Sequence, residues 1–406
     1  MTQKRLQPGA WLSLLLQGLF SAAQGLCGIF VAVYFYVNSL DLQVVCLHYL
    51  TLYIVTPTFF ILSGWYSQAH DRLHAYRVGL VLHVVYYAIL LTLRERCADY
   101  AIPLGALLGV TWGVFYAAAN TFDFDFTTHG TREVYLGLMR AITGSFGLAA
   151  PVIGALVIWG SPEKLTGYHR LFAVALALYC VCFVLSFRLP ADNERRPFRI
   201  ARALFPGKDQ RDWRLVMWAS FSLAGSFSIF AFLLSVVLFM HTEDELTVGG
   251  FASVQALAAI LISIVMARAA VPRNRRGFMR WGVALLLAAG GIISIKLSVL
   301  TLFVFGLLRS LSGPLFGIAH TSLRMDVIAN SAEHPSQRIE YLCAWEVPLA
   351  AGRVVMMLAV MGLSGWLTES SLGLRIALFL LCANRIMTYW VLMKTSVMRE
   401  AGLTKP

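Results

Sequence analysis

The stretch "TFDFDFTTHGTREVYLG" (Thr121–Gly137) places two aspartates where one strongly apolar run stops and another begins. Asp123 and Asp125 are followed by Arg132 and Glu133 at the start of the next run. A carboxylate pair could act as general acid and base, hold a cation, or latch onto an arginine. No nucleophile, metal-ligand set or glycine-rich phosphate loop accompanies this pair, so the reading is of a protein that is not an enzyme and needs no cofactor or metal. A second group of residues could also do chemistry. Arg140, Arg309, Glu346, Arg353 and Arg385 lie inside apolar runs, where a charge costs at least about 2.5–3.5 kcal/mol on insertion scales and marks a functional suspect. Glu346 and Arg353 are seven apart and share one helix face. Arg309 and Arg353 suit a positive centre, with Glu346 as the protonatable partner. Protonating that glutamate would free an arginine, and deprotonating it would restore the pair. The alternative is a static pair of Glu346 with Arg385 or Arg140, the other arginines snorkelling or binding carbonyls.

The elements that must carry these residues follow from composition. The 406 residues are 58% hydrophobic and only 13% charged, with mean hydropathy +0.70. A soluble domain carries roughly a quarter charged residues. The chain lacks the polar material to coat a soluble core, so its apolar surface must face lipid. The N-terminal apolar run is too long for a signal segment and reads as a first, uncleaved span. Seven scattered cysteines (Cys27, Cys46, Cys97, Cys180, Cys182, Cys343, Cys382) show neither a disulfide framework nor metal spacing. The net charge of +12 is explained by basic loops, not by a nucleic-acid partner.

With about 20 apolar residues needed per crossing, the chain predicts an all-α membrane protein with about twelve transmembrane helices. They fall at 11–36, 43–66, 76–93, 101–122, 133–159, 167–187, 213–239, 246–267, 278–295, 298–323, 338–364 and 372–394. Lys and Arg are roughly fourfold more numerous in the segments that share a side with the N-terminus, which predicts both termini in the cytoplasm. The run "LLGVTWGVFYAAANT" (Leu107–Thr121) aligns without gaps with "LLRSLSGPLFGIAHT" (Leu307–Thr321), "REVYL" (Arg132–Leu136) with "RIEYL" (Arg338–Leu342), and Phe20-Ser21 with Phe221-Ser222. The shared offset implies two parallel six-helix pseudo-repeats: an N-terminal bundle at 1–187, a basic cytoplasmic linker at 188–212, and a C-terminal bundle at 213–406. By that offset Arg140 and Glu346 are equivalent positions. Asp123, Asp125, Arg132 and their second-half counterparts Asp326, Arg338 and Glu340 would then form cytoplasmic gate latches, with Asp71 and Arg72 in the loop after span 2. The residues are equally consistent with an ordinary solvated loop.

This layout resembles the major facilitator superfamily of secondary transporters across the whole chain. The family's loop after span 2 usually runs Gly-x-Leu-x-Asp-Arg-x-Gly-Arg. In "GWYSQAHDR", Gly64 and Arg72 fit, whereas Gln68 replaces the aspartate and Asp71 the second glycine. "APVIGA" (Ala150–Ala155) in span 5 is similar to the antiporters' Gly-Pro-x-x-Gly-Gly, keeping Pro151 and Gly154. The span-4 Arg-x-x-x-Gly has no arginine in the first half, and Arg309 with Gly313 matches its spacing in span 10 instead. The resemblance implies alternating access around a central cavity lined mainly by spans 1, 4, 7 and 10. Gln17, Ser21 and Gln24 form one polar stripe on span 1, and with Asn120 and His320 they are candidates for that lining. Glycines at 105, 109 and 113 in span 4, and at 313 and 317 in span 10, would let helices approach closely.

The resulting expectation is a monomeric, multi-pass transporter of the cell membrane, surrounded by lipid, that moves a small amphipathic or anionic molecule by proton-coupled export. The export direction rests on the span-5 motif. Uptake of an organic anion is the alternative, as is a scaffold that moves no soluble substrate, such as a lipid flippase or sensor.

Overall fold

A computed structural model describes residues 6–120, 132–190, 197–269, 274–333, 337–366 and 371–400. Among these residues ten uninterrupted helical runs are long and apolar enough to cross a bilayer. One of them, Arg72–Ala119, is 48 residues long. It breaks at a 3-10 segment, Arg94–Tyr100, into span 3 (Arg72–Leu93) and span 4 (Ala101–Ala119). Span 7 is cut by a π turn at Gly225–Ile229 into Arg211–Ala224 and Phe230–Thr242. Counting these gives twelve spans. The others are 1 (Pro8–Ser39), 2 (Leu42–Ala69), 5 (Arg132–Trp159), 6 (Lys164–Ser186), 8 (Glu245–Ala269), 9 (Arg275–Ile295), 10 (Val299–Ser331), 11 (Arg338–Trp366) and 12 (Leu372–Leu392).

The pseudo-repeat is visible in the backbone at one turn. Span 1 ends at Leu40 and span 7 at Glu243, both at positive φ (52° and 49°) without being glycine. Each is followed by an aspartate that caps the next helix. Asp41 accepts from the Gln43 amide at 2.8 Å, and Asp244 from the Leu246 and Thr247 amides at 3.2 and 2.9 Å. Such caps satisfy orphan amides at a helix start. The Thr247 hydroxyl, helped by these amides, holds the Asp244 carboxyl below the usual carboxylate range. Its contribution is therefore present above the unfolded-state value and is lost as pH falls through the native one.

Helix packing divides the chain into two compact units. One comprises Met1–Phe198 with Asp244–Ser253, the other Arg199–Glu243 with Val254–Pro406. The start of span 8 is held in the first unit by Lys164–Glu245 at 3.1 Å and by the Ser253 hydroxyl donating to the Leu148 carbonyl at 2.6 Å. The later part of the basic linker folds into the second unit. There the Trp213 indole donates to the Ala203 carbonyl at 2.7 Å, and Glu340 accepts from the Arg199 amide at 2.8 Å.

The first unit closes on a glycine ridge and an aromatic core. A Cβ on Gly109 would lie 2.8 Å from the Leu52 carbonyl oxygen, and one on Gly113 2.7 Å from that of Thr56, so spans 2 and 4 touch backbone to backbone. Beside this seam His83 stacks on Tyr179 at 4.7 Å and meets Phe20 and Phe115 edge-on, both at 5.2 Å. The span-10 glycines behave differently: a Cβ at Gly313 or Gly317 would meet nothing within 4 Å. In the second unit the tight approach is instead Gly352 of span 11 on the Phe221 carbonyl of span 7. A glycine spacing in sequence marks a possible ridge, and only the partner helix makes it a seam.

Replacing Gly109 with Val should destabilise the protein by about 1–3 kcal/mol, the usual penalty of overpacking, whereas Gly317→Ala should be nearly neutral. Thermal unfolding of the purified protein in detergent checks both.

Candidate functional site: an arginine cluster around one carboxylate

The site is built by spans 7, 10, 11 and 12, with Gln255 of span 8. The π turn of span 7 adds one residue to the helical ladder, a feature frequent at functional sites, and it carries Ser226 and Ser228. Span 11 contributes Glu346 and Arg353 from one face. Glu346 Oε1 accepts from Arg353 at 2.5 Å, and their side chains are only 8% and 11% exposed. Arg353 Nε donates to the Ser228 hydroxyl at 2.8 Å. Span 12 brings Arg385, whose Nε donates to the Ser226 hydroxyl at 3.0 Å and whose guanidinium lies 4.6 Å from the Phe316 ring centre. The serines of the π turn are thus each held by an arginine from a different neighbouring helix.

Span 10 supplies the rest. Arg309 donates to Gln255 Oε1 at 3.3 Å and lies 5.3 Å from the Phe230 ring. His320 is buried and stacks on Phe316, with Arg324 and Arg385 as charged neighbours. Arg324, also buried, lies 3.8 Å from the Trp345 ring centre, and Glu346 is the carboxylate that acts on it. His320 Nε2 and Arg324 Nε have no hydrogen-bond partner among the described residues. Glu346 thus pairs with Arg353 and acts on Arg324, while Arg309 and Arg385 stand beside them without a carboxylate partner among the described residues, covered by serine, glutamine and aromatic faces. That arrangement has spare donor capacity for an anion.

Sequence reasoning missed Arg324 by ending span 10 at 323. An arginine at the edge of an apolar run looks like a loop residue, yet span 10 continues to Ser331. The spacing does hold a signal, because His320 and Arg324 are one helical turn apart. Ser226 and Ser228 carried none, since their role depends on the π turn.

The remaining candidates occupy other settings. Arg140, the repeat equivalent of Glu346, is exposed. Gln17 donates to the buried Tyr135 hydroxyl at 3.0 Å, which Ser13 also meets at 2.7 Å. Gln24 sits beside the Tyr116 hydroxyl. Asn120 is exposed and ends span 4. Asp326 pairs with Arg275 at 2.7 Å, and Arg275 also donates to the Ser322 hydroxyl at 2.7 Å, tying span 9 to span 10. Arg338 opens span 11, half-buried. Asp71 caps span 3 through the Leu73 amide at 2.9 Å, and Arg72 is that helix's first residue. Asp123 and Asp125, and the side chains of Arg132 and Glu133, lie outside the described residues.

Two runs of six helices, similar in topology, define the fold as that of the major facilitator superfamily transporters. Among solved structures, the peptide transporter POT in complex with sulfate matches with a TM-score of 0.75 at 11% identity, over 99% of this chain and 96% of that one. A bacterial homologue of the iron transporter ferroportin in its inward-facing state matches with a TM-score of 0.72 at 15% identity, over 96% and 99%. In sequence, the chain is 28% identical over 373 residues to the uncharacterized protein YqgE of Bacillus subtilis (strain 168), covering 92% of this chain and 86% of that protein. No family model matches the sequence.

Removing one member of a buried pair leaves an uncompensated charge and costs about 3–5 kcal/mol. Glu346→Leu and Arg353→Met should each lower the melting temperature, and the double variant should recover much of the loss. A double-mutant cycle by thermal unfolding in detergent measures this coupling; strictly additive losses would mean the pair contributes nothing.

Proposed function

We propose that the protein is a secondary active transporter that moves a small anionic or amphipathic molecule across the cell membrane by alternating access, coupled to protons through Glu346. The carrying observation is the buried Glu346–Arg353 pair at 2.5 Å inside a cluster with three further arginines. The likeness to transporters of this fold supports transport in general. The mechanism needs one proton. When Glu346 takes it up, Arg353 loses its partner and can bind a carboxylate or phosphate of the substrate bidentately. When the proton leaves, the glutamate reclaims the arginine and displaces the anion.

The sign of this linkage bears on direction. A proton that frees an arginine promotes anion binding, so proton and anion travel together. Uptake by cotransport is therefore the reading this geometry favours over export by exchange. The span-5 motif that suggested export has a packing role available to it. A Cβ on Gly154 would lie 2.8 Å from the Leu26 carbonyl oxygen, and one on Gly249 2.6 Å from that of Pro151. Close helix contact accounts for these residues without reference to direction.

In proteoliposomes carrying a pH-sensitive dye, mono- and dicarboxylates and phosphate esters should be screened for substrate-driven proton movement. The substrate should drive protons in its own direction of travel. Glu346→Gln should retain anion counterflow while proton flux falls at least about tenfold, the loss expected for a group that supplies the proton site. Unchanged proton flux in this variant would end the role of Glu346.

A further inference from the structure

A second concentration of positive charge lies where the linker segment of the second unit meets the ends of spans 10 and 12. Residues from three chain segments line a half-open cavity of about 410 Å³ there, among them Arg202, Arg211, Asn330, Lys394 and Arg399. Two aspartates also line it, and both are already engaged. Asp212 accepts from the Ser396 amide at 2.9 Å and from the Ser396 hydroxyl. Asp209 accepts from Arg202 at 3.5 Å, and Glu333 also bonds Arg202. Paired with both carboxylates, Arg202 is part of the wall.

The side chains of Arg211, Lys394 and Arg399 are different. All three are exposed, and none forms a hydrogen bond or ion pair with another described residue. Three cations around one concave surface outnumber the charge of Asp212, which bonds only neutral groups of Ser396, and leave the surface positive, which raises the local concentration of anions. Two are arginines, whose fork of N–H donors matches the oxygens of a phosphate. The volume lies within the range of about 300–1,000 Å³ typical of small-molecule sites, so there is room for a phosphate together with an organic remainder. Lys394 follows directly on a membrane span, and Phe205, close to Arg202 in the chain, is 78% exposed. Basic residues beside a span attract anionic headgroups.

We propose that this cavity is a phosphate-ester site, independent of the arginine cluster within the bundle. Arg211, Lys394 and Arg399 bind the phosphate, and the organic remainder occupies the part of the cavity near Val327 and Asn330. The same chemistry is offered by a soluble phosphate monoester and by the headgroup of an anionic phospholipid.

Purified full-length protein in detergent, titrated with sn-glycerol 3-phosphate in one arm and phosphatidylglycerol in the other, tests this by microscale thermophoresis and native mass spectrometry. Saturable binding of at least one probe is expected, weakened at least about tenfold in Arg211→Gln/Arg399→Gln, consistent with the loss of hydrogen bonds to a charged group. Arg214→Gln, on the same helix but outside the cavity, should bind as the parent does. Saturation by glycerol 3-phosphate identifies a soluble ester, and saturation by phosphatidylglycerol alone identifies a lipid. If the double variant does not run as a monodisperse peak, Lys394→Met serves in its place with the same expected loss. Absence of saturable binding to both probes, or undiminished binding by the cavity variants, overturns the proposal.

Discussion

A guanidinium cannot be left without partners inside a bilayer, and the second unit carries four of them in one neighbourhood. Insertion alone costs at least about 2.5 kcal/mol for each such charge near a span's centre. Every arginine of the cluster is placed by what offsets that cost. Arg353 has the carboxylate of Glu346, while Arg309, Arg324 and Arg385 lie against aromatic faces. The π turn in span 7 follows the same logic, because its two serines meet Arg353 and Arg385 from different helices. An ordinary α-turn would rotate those two positions relative to the neighbours. The irregular backbone of span 7 is thus understandable as the counterpart of the charges packed around it.

The two units use one scaffold with different interiors. In the first, close backbone contact along Gly109 and Gly113 and a stack of aromatic rings with His83 form the seam between helices. The second instead gathers four guanidiniums and the carboxylate of Glu346 in one neighbourhood. The turns that follow spans 1 and 7 have kept the same construction, a residue at positive φ and then a capping aspartate. The scaffold is therefore shared where the chain reverses and divergent where ionisable chemistry is available.

This division bears on how such a protein could work. The second unit buries the Glu346–Arg353 ion pair beside three further arginines, in a low-dielectric setting that magnifies every charge interaction. The cavity beside Arg211 and Arg399 lies in a different dielectric setting, lined by exposed side chains, where cations are cheap.

Much of this was legible in the order of residues. The apolar runs determined twelve crossings, because the length of a span follows from a fixed rise per residue and a fixed hydrocarbon thickness. The recurring offset of about two hundred determined the two six-helix repeats. Arg309, Glu346, Arg353 and Arg385 were recognisable as costly charges for the same reason: the solvent is implied by their neighbours in the chain. What only the tertiary structure decided was who meets whom. Glu346 pairs with Arg353, not with Arg385, and Asp326 meets Arg275. The glycines at 109 and 113 form a seam, while those at 313 and 317 do not. Arg324 belongs to the cluster, and the linker folds into the second unit. Hydropathy and periodicity are local sums along the chain, whereas a charge partner or a packed ridge is chosen by helix rotation and by the face a neighbour presents, which no single segment encodes.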